Sequence, residues 1–351
     1  MDEEEEDDKI NEFKMLFKLD IGKSLGRGKY GLVKEIYYKN QVYAGKLVKR
    51  EGIVDECELI LQFKSPYIVK IIKIYNSGVF NLILMEKGLS DLNQFIKNSK
   101  KDEIQKLIIN PFYDGIIGDN LFKYFAKHLV IGLESLERIG FSHFDIKPGN
   151  ILIFKNLILK LSDFSFLRNQ KETDSQNMID IPGGTDGYSS PEYYMNYKEN
   201  HKFTIENAKK HDYFSLGCTL FNLKYGENLF ILPNSYRQDR GKNVTQIIDY
   251  ISNCIERKMN LIKSSKYSDK GFINFLCGLI QFKPEERPNF KEIYYNKWLN
   301  EDYKEISKIC RINESNDSKL VLELNKSDFL IKKKNSLNKE RKKFVFKKKR
   351  K

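Results

Sequence analysis

The hydrophobic period of this sequence changes once, near Gly88, and that change limits the fold more than any other feature. Between about residues 17 and 86, short runs alternate apolar and polar residues: "FKLDIGKSLG", "GLVKEIYY", "QVYAGKLV", "YIVKIIKIY" and "FNLILME". Glycine, asparagine and serine separate them, which is the pattern of an antiparallel meander. One run, "IVDECELILQF", interrupts it with apolar residues at 53, 57, 60 and 61 and reads as a short helix. After Gly88 the spacing becomes i, i+3/i+4 in "DLNQFIKN" and "NLFKYFAKHLVIGLESLERIG", the second predicting a helix of about 20 residues closed by Gly140. Two strand-like runs follow, "NILIF" and "LILKLSDF", then a loop-rich stretch over 166–190 and further helices to residue 300. A small β-rich part followed by a larger helical part predicts an α+β fold of two lobes with a cleft between them.

Charge divides the chain differently. The 351 residues carry a net charge of +13, but residues 331–351 hold twelve Lys or Arg against one Glu, and residues 1–12 hold eight acids against one Lys. The expected organisation is an acidic, disordered leader over 1–16 and a folded body over 17–300. The body divides into an N-lobe at 17–87 and a C-lobe at 88–300, and a largely disordered basic tail covers 301–351. That tail has four readings: a nuclear-localisation segment, a patch for anionic lipid, an arm for nucleic acid, or a solvated tail without a specific partner. Five scattered cysteines without C-x-x-C spacing argue against a disulfide framework or structural zinc. They fit an intracellular location, cytoplasmic or nuclear. No apolar run approaches the ~18 residues of a membrane span.

Three stretches carry candidate chemistry. "LGRGKYGLV" places Leu25, Gly26, Gly28, Gly31 and Val33 between two predicted strands. Glycines there let backbone amides approach phosphate oxygens, and they equally suit a tight hairpin. A dinucleotide fingerprint needs a helix after the glycines, and here a strand follows. "VYAGKLV" puts Lys46 in an apolar strand, where it is either an exposed strand residue or a cation aimed at phosphates and held by a carboxylate, Glu56 first and Glu58 second. "HFDIKPGN" is more pointed, because Asp145 can accept a proton from an attacking hydroxyl and Lys147 can neutralise charge on a phosphoryl group. Asn150 can ligate a divalent ion, and thirteen residues later "LSDFS" offers Asp163 as a harder ligand. Each residue singly could be a turn residue or cap. The ordered set is not explained that way.

With these motifs in this order, the sequence over about 19–300 resembles the eukaryotic protein kinase family. "GGTDGYSSPE", "HDYFSLGC" and "KPEERPNF" add further landmarks, and the resemblance implies an ATP-dependent serine/threonine kinase. It implies that Gly26, Gly28 and Gly31 cover the ATP phosphates and that Lys46, held by Glu56, contacts them. Leu25, Val33, Ala44 and Leu152 enclose the nucleotide, with Met85 as gatekeeper before a hinge at Glu86–Gly88. Asp145 becomes the base, Lys147 a γ-phosphate contact, and Asn150 and Asp163 the Mg²⁺ ligands. His143 and Phe164 join Ile60 and Ile71 in an apolar spine. Thr185 touches Asp145 and Lys147, Asp212 is a buried anchor, and Glu192 pairs with Arg287. Lys147 and Thr185 favour serine or threonine substrates over tyrosine. The same resemblance implies ATP and a protein substrate as partners, while the charge of residues 331–351 is the separate ground for expecting an anionic partner there, lipid or nucleic acid. Its alternative is a pseudokinase that binds nucleotide as a scaffold.

Two positions depart from the family pattern. Phe144 stands where many members have an arginine that meets an activation-loop phosphate, so activity is expected not to depend on that switch. Ser165 replaces the glycine of D-F-G, which tunes the motif without removing a ligand.

Overall fold

The computed structural model describes residues 3–28, 31–49, 60–61, 64–77, 80–98, 117, 119–196, 202–238, 243–264, 269–301 and 303–304. Five antiparallel strands form the first lobe in the order β1-β2-β3-β5-β4: β1 (Asp20–Gly28), β2 (Gly31–Tyr38), β3 (Gln41–Lys49), β4 (Ile71–Asn76) and β5 (Phe80–Glu86). Each coincides with one of the alternating runs. The helix expected at 53–63 lies outside the described residues except for 60–61, which are helical.

Alternation decides which way each strand residue faces. On β5, Leu82 and Leu84 join one buried cluster while Ile83 between them joins another. Both faces of the sheet are therefore covered, and this is why "FNLILM" is almost continuously apolar. The outer cover corrects the expectation of a disordered leader over 1–16: Glu3–Phe17 is a helix, α1. Ile10 and Phe13 are buried against Leu32, Ile36, Leu47 and Leu84. Phe13 stacks on Phe17 at 5.5 Å, and Phe17 lies 4.9 Å from Tyr75. Residues 10, 13 and 17 share one helical face, and burying an aromatic side chain stabilises by roughly 1.5–3 kcal/mol, enough to order a segment whose composition alone is that of a solvated leader.

The second lobe is helical. A short helix over residues 92–98 precedes α2 (Asp119–Arg138), α3 (Pro191–Asn196), α4 (Ile205–Tyr225), α5 (Val244–Ser264) and α6 (Lys270–Leu279). Helix α4 is buried on nearly every side from Ala208 to Lys224, as a central helix must be. Thr204 caps its start by accepting from Asn207 N at 3.1 Å, and Gly226 at φ 72° closes its end. At the base of the lobe Arg287 donates to both oxygens of Glu192, at 2.6 and 2.7 Å, with neither side chain exposed. Arg287 also donates to three backbone carbonyls, so its other N–H groups are satisfied despite the burial.

Small sheets frame the face of this lobe that meets the first. β7 (Phe141–Ser142) pairs with β10 (Arg168–Asn169), and β6 (Ser90–Asp91) pairs with β8 (Ile151–Ile153) and then β9 (Leu159–Leu161). Among the described residues no helix is long and apolar enough to cross a membrane. The segment expected at 98–119 falls mostly outside the described residues, as do residues 305–351 of the basic tail.

The docking of α1 can be tested by thermal denaturation. Phe13→Ala is expected to cost about 3–5 kcal/mol, the usual range for removing a buried aromatic ring. Met15→Ala, at a position 81% exposed, is expected to stay within about 0.5 kcal/mol. Equal melting temperatures for the two variants would show that the helix does not cover the sheet in solution.

Candidate active site

The loop between β7 and β8 is pinned from below by one carboxylate. Asp212 on α4 accepts the backbone N–H of His143 at 2.6 Å through Oδ2 and that of Phe144 at 2.8 Å through Oδ1. Phe144 has φ 62°, a left-handed conformation that costs a bulky residue about 1–2 kcal/mol. The paired amides hold it there. Burial pushes the Asp212 carboxyl up to about 7, against the downward pull of those two amides. His143 is fully buried, with its Nδ1 accepting Asp145 N at 3.3 Å and its Nε2 donating to Ser162 O at 3.0 Å. Burial holds its pKa below the ordinary value, and its ring lies 6.0 Å from Phe164. It is a packed, neutral residue that shapes the loop.

Above this anchor, three polar side chains converge on Asp145. Lys147 Nζ donates to Oδ2 at 2.7 Å, Thr185 Oγ1 donates to Oδ1 at 2.6 Å, and Asn150 Nδ2 donates to Oδ2 at 2.7 Å and to the main-chain oxygen at 2.9 Å. Lys147 also donates to Thr185 Oγ1 at 2.7 Å. Asp145 is thus oriented from three sides although Thr185 is forty residues away in sequence.

A second ionic group crosses the lobes. Lys46 on β3 donates to Asp163 Oδ1 at 2.6 Å and to Ser165 Oγ at 2.8 Å. Burial pushes the Asp163 carboxyl up, but the Lys46 charge and the hydrogen bonds from Lys46 and Ser165 outweigh it and hold the group below its ordinary value. Glu56, the expected partner of Lys46, lies outside the described residues.

Between these groups and the sheet lies a cleft of about 420 Å³. Leu25, Gly26, Val33, Ala44, Lys46, Met85, Gly88, Asn150, Leu152, Asp163, Phe164 and Ser165 all line it. Gly31 and Glu86 do not. A side chain on Gly31, at φ 138°, would place a Cβ 1.9 Å from the Leu47 carbonyl oxygen, so packing alone demands this glycine. Gly26 has no described neighbour within 4 Å of such a Cβ and opens onto the cleft. Gly28 faces Gly31 across the tip of the β1–β2 hairpin. The steric demand for glycine therefore falls on Gly31, while Gly26 is the glycine that faces the cleft. Glu86 instead binds Lys160, at 2.6 and 2.8 Å, and fastens the strand end to β9. Ile83 and Asp91 line the cleft without having been anticipated. The signal for Ile83 was available, since it pairs with Lys46 across β3–β5 and shares the face of Met85.

The donor set suits a hard divalent cation. Asn150 uses only its amide nitrogen and Asp163 only its Oδ1 in hydrogen bonds, leaving one oxygen of each without a partner among the described residues. Both residues line the cleft. Mg²⁺ takes few protein oxygens and completes its shell with water and phosphate, so the lack of a larger cluster of acidic or histidine ligands among the described residues is no obstacle.

Phe144 fills the space beside this loop with aromatic contacts. Its buried ring lies 6.1 Å from Phe203, nearly parallel, and 5.5 Å from His211, which in turn lies 5.9 Å from Tyr193. Phe203 sits on β12 (Lys202–Thr204), which pairs with β11 (Met178–Asp180) of the segment between Asp163 and Glu192.

The sequence profile of the protein kinase domain matches residues 19–299. The chain belongs to the protein kinase family. That family uses ATP with Mg²⁺, in keeping with the oxygen donors in the cleft. This kinase is similar to the dual specificity protein kinase Ttk of Danio rerio, 27% identical over 293 residues that cover 80% of this chain and 27% of that protein. It is similar to the serine/threonine-protein kinase fused of Drosophila melanogaster, 25% identical over 220 residues, covering 60% and 24% of the two chains. The serine/threonine-protein kinase chk-2 of Caenorhabditis elegans is 30% identical over 217 residues, covering 56% and 41%. The kinase thus spans about a quarter of the length of the first two relatives.

The aromatic cluster makes a pH prediction. Burial holds His211 down at about 4 against an ordinary 6.5. The stability it contributes is therefore full above pH 6.5 and is lost as pH falls toward 4, by up to about 1.4 kcal/mol per unit. Asp212, shifted the opposite way, is common to wild type and His211→Phe and cancels in their comparison. The melting temperature of His211→Phe should rise relative to wild type as pH is lowered from 7 to 5. A constant gap would mean that His211 titrates alike in the folded and unfolded chains.

Proposed function

We propose that this kinase transfers the γ-phosphate of ATP to serine or threonine hydroxyls of a protein substrate, with Asp145 as the catalytic base. The observation that carries this reading is the convergence of Lys147, Thr185 and Asn150 on the Asp145 carboxylate, with Asn150 lining the same cleft as Lys46 and Asp163. A hydroxyl placed against Asp145 gives up its proton as its oxygen bonds to the γ-phosphorus. The bond from phosphorus to the bridging oxygen breaks, and ADP leaves. Lys147 is released toward the γ-phosphate, and Lys46 neutralises the phosphates nearer the sugar. Asn150 Oδ1 and Asp163 Oδ2 would hold Mg²⁺, which would supply positive charge to neutralise the phosphates. Leu25, Val33, Ala44 and Leu152 supply the apolar walls for the base, beside Met85 and Gly88.

The Phe144 stack and the β11–β12 pair support activity that needs no phosphate on the loop between Asp163 and Glu192. No observation favours the pseudokinase alternative, since every expected chemical group is present in the sequence. For residues 331–351 we propose an anionic partner, lipid or nucleic acid, supported by twelve basic residues in twenty-one positions. A reducing compartment, cytoplasmic or nuclear, suits the cysteine pattern, and Cys218, Cys254 and Cys277 are free thiols.

The test is phosphate transfer from ATP with Mg²⁺ to a basic protein acceptor, with wild type beside Asp145→Asn and Asp163→Asn. Wild type should form phosphoserine or phosphothreonine. Loss of the base should lower kcat by about 10²–10⁴-fold. Nucleotide binding without transfer by wild type under several metals would instead support the scaffold.

A further inference from the structure

The side chain of Ser165, in the cleft, touches both partners of the Lys46–Asp163 ion pair. It sits in a single turn of 3-10 helix, Phe164–Phe166, begun by Asp163 in a left-handed conformation at φ 60°, ψ 80°. Its hydroxyl is 2.8 Å from Lys46 Nζ and 2.6 Å from Asp163 Oδ1, and only 8% of the residue is exposed. An ammonium can only donate, so the single hydroxyl proton must go to Asp163. Asp163 Oδ1 then accepts from Lys46 Nζ at 2.6 Å, Ser165 Oγ at 2.6 Å and Ser165 N at 3.3 Å, while Oδ2 accepts nothing among the described residues. The carboxylate is committed at one oxygen and free at the other.

We infer that the Ser165 hydroxyl is a positioning residue: it clamps Asp163 Oδ1 against Lys46 and so presents Oδ2 to the divalent cation. The inference rests on the reading of Asp163 as a metal ligand. It acts through orientation. A carboxylate held by three donors on one oxygen cannot rotate both oxygens toward a ligand, and a ligand with a locked rotamer binds metal without the entropy of finding it. The hydroxyl also gives Lys46 a second acceptor, 2.8 Å away, beside Asp163. Serine at this position therefore supplies a hydrogen bond in a place where a residue without a hydroxyl supplies none.

The consequence is specific to the metal-dependent part of nucleotide binding. Calorimetry on the full 351-residue chain would measure ADP affinity in excess Mg²⁺ and in EDTA, for wild type, Ser165→Ala, Ser165→Thr and Asp163→Asn. Alanine keeps the Cβ and its backbone restriction and removes only the hydroxyl; threonine restores the hydroxyl. The tightening of ADP by Mg²⁺ should fall about tenfold in Ser165→Ala, the loss expected for a hydrogen bond to a charged group. It should recover in Ser165→Thr, while the affinity in EDTA changes less than about twofold in either variant. Undiminished tightening in Ser165→Ala would overturn the inference and leave the metal reading intact. Equal weakening with and without metal would also overturn it, showing a general defect of the cleft. Tightening that persists in Asp163→Asn, or is absent from wild type, would instead remove the metal reading on which the inference stands.

Discussion

The carboxylate of Asp212 is the contact on which the rest of the reaction site depends. It comes from the most buried helix of the second lobe and receives two consecutive main-chain N–H groups, those of His143 and Phe144. Two hydrogen bonds from adjacent amides to the two oxygens of one side chain fix position and orientation together, and they offset the strain of Phe144 in the left-handed region. With that turn fixed, His143 faces inward to Ser162, and the next residue, Asp145, meets the lysine, asparagine and threonine that orient it. The glutamate–arginine pair below, with Arg287 fully enclosed, fixes the end of the segment that delivers Thr185.

A second constraint belongs to the small lobe. A five-stranded sheet carrying apolar residues on both faces must be covered on both. The second lobe and the segment around Ile60 and Ile68 meet one face, and α1 meets the other. Within β5, the run from Leu82 to Met85 is apolar without a break. That was a signal for a second cover, and the acidic composition of residues 1–12 hid which segment supplies it. Composition averages over a helix, whereas burial depends on one face: Ile10, Phe13 and Phe17 lie three and four residues apart in a segment that is otherwise rich in charge.

Much of the candidate site was legible residue by residue. The strand position of Lys46, the loop holding Asp145, Lys147 and Asn150, and the aspartate after β9 all followed from local pattern and order. Less legible were the partners. Glu86 reads as part of the hinge, yet its side chain belongs to Lys160 on β9. Gly31 reads as a phosphate glycine, yet the Leu47 carbonyl already requires it. Phe144 reads as the loss of a regulatory arginine, and the aromatic rings of Phe203 and His211 show what occupies the place instead. None of these could be read locally, because each partner lies on a different element.

The sequence by itself determined the strands of the first lobe, the long helices of the second and the chemical inventory. Hydrophobic period is a local property, so the change near Gly88 separated strands from helices, and the identities of the acids, amides and lysines limited the chemistry to phosphate and a hard cation. Tertiary structure decided the pairings. Lys46 meets Asp163 and Ser165 across 117 and 119 positions, and Glu192 meets Arg287 across 95. Which groups meet at such separations depends on how the lobes pack, and packing energy comes from apolar surfaces that carry no record of which polar side chains they bring together.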